Sequence, residues 1–240
     1  MNNTPTKKDI EILYEDVDYN GLYKMSNLFT ALSSIATTNS FDIEFYSKDL
    51  LDKYGFVLTK QTLVLNEPIK FTDEISIITR AYKCKTVQAF RTYEIYKGDK
   101  HIGGAYSIWA LLDLQKRSVA KLSAIGADQL KIESYEPSVT KFKKITEIEV
   151  ELIEKRTVRI SDIDTNQHMN NARYVEWSND LFKELNTKYY VSELSVHFLH
   201  ELSYKDEVDL YLGVQDNYFY IIFKHNETEC FKAGGYFKEI

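Results

Sequence analysis

The chain is poor in the residues that staple or punctuate small folds. It has two cysteines, three prolines and nine glycines in 240 residues. Cys84 and Cys230 lie far apart and in no metal-ligand spacing, which argues against a disulfide framework and a cysteine-based zinc site. A reduced, cytoplasmic compartment is the expectation. Scarce proline and glycine favour long regular elements over a loop-rich architecture. Long apolar runs are also missing. The most apolar stretch, Tyr218–Phe223, is far too short to span a bilayer, so it reads as a buried strand and no membrane partner is expected. The opening "MNNTPTKKDIEIL" has no apolar segment of the kind a signal peptide needs. There is no basic excess: 30 Lys and Arg against 36 Asp and Glu leave a net charge of −6, which argues against nucleic acid as a partner.

What the chain does have is aromatic and aliphatic mass. Tyr and Phe are abundant, and hydrophobic residues make up 44% of the sequence. That is enough for a packed core without metal or disulfide staples, in one large domain or two small ones.

Self-similarity points to two. Residues 15–31 read "EDVDYNGLYKMSNLFTA" and residues 161–177 read "SDIDTNQHMNNARYVEW". Without gaps, Asp16 aligns with Asp162, Val17 with Ile163, Asp18 with Asp164 and Asn20 with Asn166, at an offset of 164 − 18 = 146. A helical stripe follows in each copy. The first carries Leu22, Met25, Leu28, Phe29, Leu32 and Ile35; the second carries Tyr174, Trp177, Leu181, Phe182 and Leu185. Downstream, "FTDEISIITR" from Phe71 resembles "YKDEVDLYLG" from Tyr204, at an offset of 206 − 73 = 133. Each opens a β-rich series rich in Val, Ile, Tyr, Phe and Thr. Strands are expected near 56–66, 73–82, 85–97 and 101–114, then near 191–201, 206–214, 217–225 and 229–238.

Each half therefore reads as a short strand, a turn, one long helix and a run of antiparallel strands. The fall in offset, 146 − 133 = 13, places an insertion in the first half at Asn39–Gly55. Its amphipathic pattern suggests a second helix or a lid. The link between the halves, near 123–145, is weakly patterned.

The two copies diverge where chemistry would be done. His168 replaces Leu22 and Gln167 replaces Gly21. The stretch precedes a predicted helix start, where backbone N–H groups can stabilise an anion. Asn170 or Asn171 can cap that helix. An imidazole titrates in the range useful for acid–base work, and Asp164 could orient it or a water. The competing reading is structural: Asp162, Asp164 and Asn166 are also what Asx turns use. For the first copy, which lacks a histidine, the structural reading is preferred. For the second, the residues alone leave both open.

"DIDTNQHMNNARYVEW" closely resembles the D-x-N-x-H-x-N-N-x-x-Y signature of the acyl-acyl carrier protein thioesterases of plants and bacteria. The likeness extends over the repeat, the element order and "WALLDLQKRSVAKL" at Trp109–Leu122. It implies an α+β fold of two tandem hotdog domains, each a long helix wrapped by an antiparallel sheet. These would be an N-terminal domain at 1–135, with the acyl-chain pocket and no catalytic histidine, and a C-terminal domain at 136–240 with the catalytic residues. The family's Asp, Asn and His fall on Asp164, Asn166 and His168, and its glutamate on the next strand falls on Glu201. Some members carry a cysteine directly after that glutamate; here the position is Leu202, so a cysteine nucleophile is not available there. Strand alternation would send His197, Leu199 and Glu201 one way and Phe198 and His200 the other, which removes an H-x-x-H zinc site.

The implied reaction is hydrolysis of acyl-acyl carrier protein (acyl-ACP) to free fatty acid and holo-ACP, ending chain elongation. Glu201, oriented through Asp164 and His168, would activate water. Asn166 and His168 would position that water or the oxyanion, and phosphopantetheine thiolate would leave. No metal or cofactor is implied. The partner would be the acidic carrier protein with its phosphopantetheine-linked acyl chain, which needs a basic patch. Thr140–Lys144, Lys116–Arg117 and Lys7–Lys8 are candidates. The acyl tunnel is expected near Phe41, Phe45, Leu50, Leu51 and Tyr54. A homodimer is compatible with such sheets. Alternatives are an acyl-CoA thioesterase on the same fold, a non-catalytic acyl-binding protein, or a hydratase or dehydratase, which the extended signature does not suit.

Overall fold

The computed structural model describes residues 3–130, 135–182 and 188–240. The first half contributes strand β1 (Thr6–Glu11), helix α1 (Met25–Asp42), and strands β2 (Tyr54–Leu65), β3 (Glu74–Lys85), β4 (Gln88–Lys97), β5 (Lys100–Asp113) and β6 (Ser118–Val119). The second contributes β7 (Glu151–Thr157), α2 (Asn171–Asp180), β8 (Tyr189–Phe198), β9 (Glu207–Gln215), β10 (Tyr218–His225) and β11 (Thr228–Glu239). The element order is that of the repeat. Strands run in the order β1-β3-β4-β5-β2 in one half, with β6 beside β5, and β8-β11-β10-β9-β7 in the other.

Cα proximity groups the chain into two compact units. One comprises Met1–Glu11, Ala31–Leu63 and Asp73–Phe142; the other comprises Ile12–Thr30, Val64–Thr72 and Lys143–Ile240. The first-copy turn and the first turns of α1 thus belong to the same unit as the second-copy turn.

Helix α1 forms because Leu28, Leu32 and Ile35 recur on one face, and all three are buried. Nearer its end the helix is fastened by polar contacts. Buried Asn39 donates to the Thr4 carbonyl and accepts from Arg91 Nη1. The stripe of α2 is aromatic: Tyr174 and Trp177 are buried against Phe223, and Tyr174 also meets Phe198 and Phe231. These ring contacts each add about 0.5–1.5 kcal/mol beyond the area they bury.

Three expectations change. The inserted segment holds no second helix: α1 itself runs on to Asp42, and only a 3-10 turn, Lys48–Leu50, follows before β2. Phe45, Tyr46 and Tyr54 are buried in an apolar cluster there, with Phe41 and Leu50 packed against it, whereas Leu51 is exposed. Helix α2 is shorter than its stripe suggested: the chain caps at Leu181. Leu185 lies outside the described residues. Finally, β8 stops at Phe198, so Glu201 is in the loop after the strand. The cause is a bulge-like turn in which the N–H groups of both Leu199 and His200 donate to the one carbonyl of Cys230. Alternation along the strand does not carry beyond that point.

The link between the halves is pinned by a buried carboxylate. Glu94 on β4 accepts from the Tyr135 hydroxyl (2.6 Å), the Ser138 N–H (2.9 Å) and the Ser138 hydroxyl (2.6 Å), and faces His101 Nε2 at 2.6 Å. Among the described residues, no helix is long and apolar enough to cross a membrane.

Candidate active site

The repeated motif is the same turn built twice. In the first copy, the Asp18 N–H donates to the Leu22 carbonyl, the Gly21 N–H to the Asp18 carbonyl, and the Asn20 N–H to Asp18 Oδ1. In the second, the Asp164 N–H donates to the His168 carbonyl, the Gln167 N–H to the Asp164 carbonyl, and the Asn166 N–H to Asp164 Oδ1. Val17 bridges Tyr23, and Ile163 bridges Met169. The tight turn needs a left-handed residue, and Gly21 adopts φ of +73° without cost. Gln167 takes the same conformation with a side chain, φ +66°.

The loop after β8 is tied to this turn. The Met169 N–H donates to the Leu202 carbonyl at 2.7 Å, and the Leu202 N–H donates to the Tyr174 hydroxyl at 3.2 Å. These two bonds hold residue 201 beside residue 168. His168 Nε2 lies 3.2 Å from Glu201 Oε2, with the His168 side chain 29% exposed and that of Glu201 54% exposed. Tyr174 was legible only as a helix-stripe residue. Its positioning contact with Leu202 depends on the irregular loop, and the sole sequence signal was the tyrosine that closes the motif. Burial raises its hydroxyl pKa above the ordinary value, so it stays a neutral hydrogen-bonding group.

Of the expected residues, His168 and Glu201 thus meet through their side chains. Asp164 and Asn166 join them through the turn, Asp164 as its hydrogen-bond acceptor and Asn166 as an exposed residue at its tip. At the start of α2, Asn170 is the cap: its side chain accepts the Ala172 N–H and its carbonyl the Arg173 N–H. With the Met169 and Asn170 N–H groups given to Leu202 and Asp162, the Asn171 N–H is the one left without a partner among the described residues. Any polarisation of a carbonyl by this helix end therefore falls on a single first-turn donor.

The thiols are remote in character. Cys230 is buried and its Sγ donates to the Thr228 carbonyl; burial raises its pKa. The Cys84 thiol is pushed up to about 11, mainly by burial. Both are therefore protonated at neutral pH and poor nucleophiles. Among the described residues no group of three or more His, Cys, Asp or Glu is arranged to hold a metal ion. Of the basic patches, Lys7 pairs with Asp9, Lys116 with Asp113 and Lys143 with Glu193, whereas Lys141 and Lys144 are exposed.

A helix-and-sheet unit built twice, with a histidine facing a carboxylate at the turn before the helix in only the second copy, has the architecture of a tandem hotdog protein, and the family models that match it place it in the thioester-hydrolase class. The family models for the N-terminal and C-terminal domains of acyl-ACP thioesterase match residues 3–126 and 145–233. The chain belongs to the acyl-ACP thioesterase family, and its reaction is hydrolysis of the acyl-ACP thioester. Among solved structures it is similar to an acyl-ACP thioesterase from Bacteroides thetaiotaomicron, with 24% identity, 98% of each chain covered and a TM-score of 0.87. It is also similar to the 12:0-ACP thioesterase from Umbellularia californica, with 11% identity, 98% of each chain covered and a TM-score of 0.84. No curated protein matches the sequence.

Proposed function

We propose that His168, Glu201, Asp164 and Asn166 carry the hydrolysis, and that the 3.2 Å contact between His168 Nε2 and Glu201 Oε2 is its centre. Glu201 takes a proton from water as that water attacks the thioester carbonyl carbon. His168 holds Glu201 in place and, with Asn166, positions the water or the developing oxyanion. Asp164 keeps the turn that presents them, and the Asn171 N–H adds one dipole at the helix start. The C–S bond then breaks, the phosphopantetheine thiolate takes up the proton, and free acid leaves. No step uses a thiol of the protein. With all of these residues in the second half, catalysis is assigned to the C-terminal domain, 136–240, and acyl-chain binding to the N-terminal domain, 1–135.

The carrier's acidic surface is met by Lys141 and Lys144, the exposed lysines of the Thr140–Lys144 run. Two free thiols support a reducing, cytoplasmic compartment. The reading is tested by measuring free-acid release from ACP loaded with acyl chains of graded length, beside the matching acyl-CoA. Turnover on at least one acyl-ACP, with a higher kcat/KM than on the CoA form, is expected. Release only from CoA would assign the site to the alternative acyl-CoA substrate. Glu201→Gln keeps the size and polarity of the side chain but cannot act as a base, so it should lower kcat by at least about a hundredfold.

A further inference from the structure

The frame around the two turns is also built twice, and its outer side has diverged. In the second copy the Lys205 N–H donates to the Val158 carbonyl at 3.0 Å; in the first the Thr72 N–H donates to the Ile12 carbonyl at 3.1 Å. The two donors share a left-handed conformation, φ +74° at Lys205 and +68° at Thr72. The offsets of the repeat agree, 205 − 133 = 72 and 158 − 146 = 12. By the same offsets Ile160 matches Tyr14 and Tyr204 matches Phe71. All four are large apolar side chains left in solvent, Ile160 at 73%, Tyr204 at 52%, Tyr14 at 81% and Phe71 at 46% exposure. In the first copy the two rings meet edge to face at 6.1 Å. What changed is the company they keep. Leu13 and Thr72 are uncharged, and their counterparts are Arg159 and Lys205.

We propose that Arg159, Ile160, Tyr204 and Lys205 seat the acidic carrier protein at the catalytic turn. Both cations are exposed, and neither forms an ion pair among the described residues. Lys205 Nζ lies over the Tyr204 ring at 5.3 Å, so charge and apolar surface share one face. The adjoining acids are turned to local work: Asp162 is buried and accepts the Arg159 N–H at 2.8 Å, and Asp206 accepts the Ser203 N–H at 2.8 Å. The exposed charges of 158–161 and 203–207 are Arg159 and Lys205 against Glu207, a balance of +1 in a chain of net charge −6. Such a face complements an acidic partner, and an exposed tyrosine beside an aliphatic side chain is the kind of anchor an interface buries. Position matters as much as charge. Arg159 and Ile160 lead into the turn that carries His168, and Tyr204 and Lys205 follow Glu201 in the loop tied to that turn. The thioester is tethered to its carrier, so the carrier must sit within reach of these two side chains. Lys141 and Lys144 add attraction, and this face fixes where the carrier comes to rest.

The proposal rests on the acyl-ACP reading for its partner, and hydrolysis of one acyl chain carried on ACP and on pantetheine separates docking from chemistry. Arg159→Glu with Lys205→Glu should raise KM for acyl-ACP about tenfold, with kcat unchanged and kcat/KM for acyl-pantetheine held within about twofold. Ile160→Ser with Tyr204→Ser should raise the same KM by about tenfold through loss of the apolar anchors. Leu13→Glu with Thr72→Glu places negative charge at the equivalent positions of the first copy and should leave both substrates unaffected. An unchanged KM for acyl-ACP in either second-copy variant, an equal loss on acyl-pantetheine, or an equal rise of KM in the first-copy variant would each overturn the proposal. So would sedimentation of the native chain with phosphatidylglycerol vesicles that is lost in the charge-reversed variant while KM stays unchanged, which would assign the face to a lipid surface. Failure of the native chain to hydrolyse either substrate would strike the acyl-ACP reading itself, and this face with it. Circular dichroism verifies the fold of each variant; if a double variant is not folded, Arg159→Glu and Tyr204→Ser decide singly.

Discussion

At position 167 a glutamine occupies a left-handed conformation that its counterpart, Gly21, enters freely. For a residue with a Cβ this costs roughly 1 kcal/mol or more, and such strain gathers where function fixes the backbone. Gln167→Gly should therefore raise stability by about 1 kcal/mol, a rise of about 2–4 °C in Tm for a chain of this size. Calorimetry of the variant beside the native chain measures it. An unchanged or lower Tm would remove the strain. A second residue-scale prediction concerns Glu94. Burial alone would raise its pKa, but hydrogen bonds from Ser138 and Tyr135, the Ser138 N–H and His101 outweigh burial and hold it below the ordinary carboxylate value. A depressed folded pKa gives stability that is present above the unfolded value of about 4.3 and is lost as pH falls through the folded value. In Glu94→Gln, denaturant titrations at neutral pH should show a loss of about 2 kcal/mol, and the part of the acid destabilisation due to this carboxylate should vanish. Gly104 is bound to the same contact, since a Cβ there would lie 2.2 Å from Ser138 Oγ.

Elements were legible where packing repeats and illegible where it does not. The stripe of Leu28, Leu32 and Ile35 announced α1, and the alternating β-rich runs announced the strands, because helix and sheet burial impose fixed periods. The end of β8 was not legible. Nothing local in His197–Leu202 signals that two successive N–H groups share the Cys230 carbonyl, so the site glutamate was assigned to a strand it has already left. The segment at Asn39–Gly55 misled for a related reason: its apolar residues have helical spacing, but only the first few continue α1, and the rest bury in the cluster around Phe45 and Tyr54. The candidate site was half legible. His168 stood out by comparison with Leu22. Glu201 came only from family likeness, and the contact with Tyr174 that holds its loop came from neither. The start of α2 offers an element-scale test. Asn170→Ala removes the cap, so it should cost about 1 kcal/mol. It should also slow hydrolysis, because the Ala172 N–H it released and the Met169–Leu202 tie lie on the same turn. Full activity with lowered stability would separate capping from catalysis.

For the molecule as a whole, duplication explains both what is conserved and what has diverged. The same hydrogen-bonded turn opens both helices, and in each copy its Asp side chain accepts the backbone N–H of the Asn two residues on, so the Asp serves structure in both. What sets the second copy apart is a histidine on the turn facing a glutamate in a loop tied to it by two hydrogen bonds, the pair proposed to carry the chemistry. The protein is acidic overall, so attraction of an acidic carrier must be local. Reversing both Lys141 and Lys144 to glutamate should raise KM for acyl-ACP by about tenfold at low salt and leave acyl-pantetheine turnover unaltered. An equal effect on both substrates would move the docking surface elsewhere.

The most direct test of the central claim is the rate of free-acid release from acyl-ACP by His168→Ala, Glu201→Ala and the double variant, each verified as folded. If the two side chains act as one unit, each single change should lower kcat by about a hundredfold or more, and the double variant should be little slower than the worse single. Single variants within a few-fold of the native rate, or a double variant slowed by the product of the two single effects, would contradict a His168–Glu201 catalytic pair.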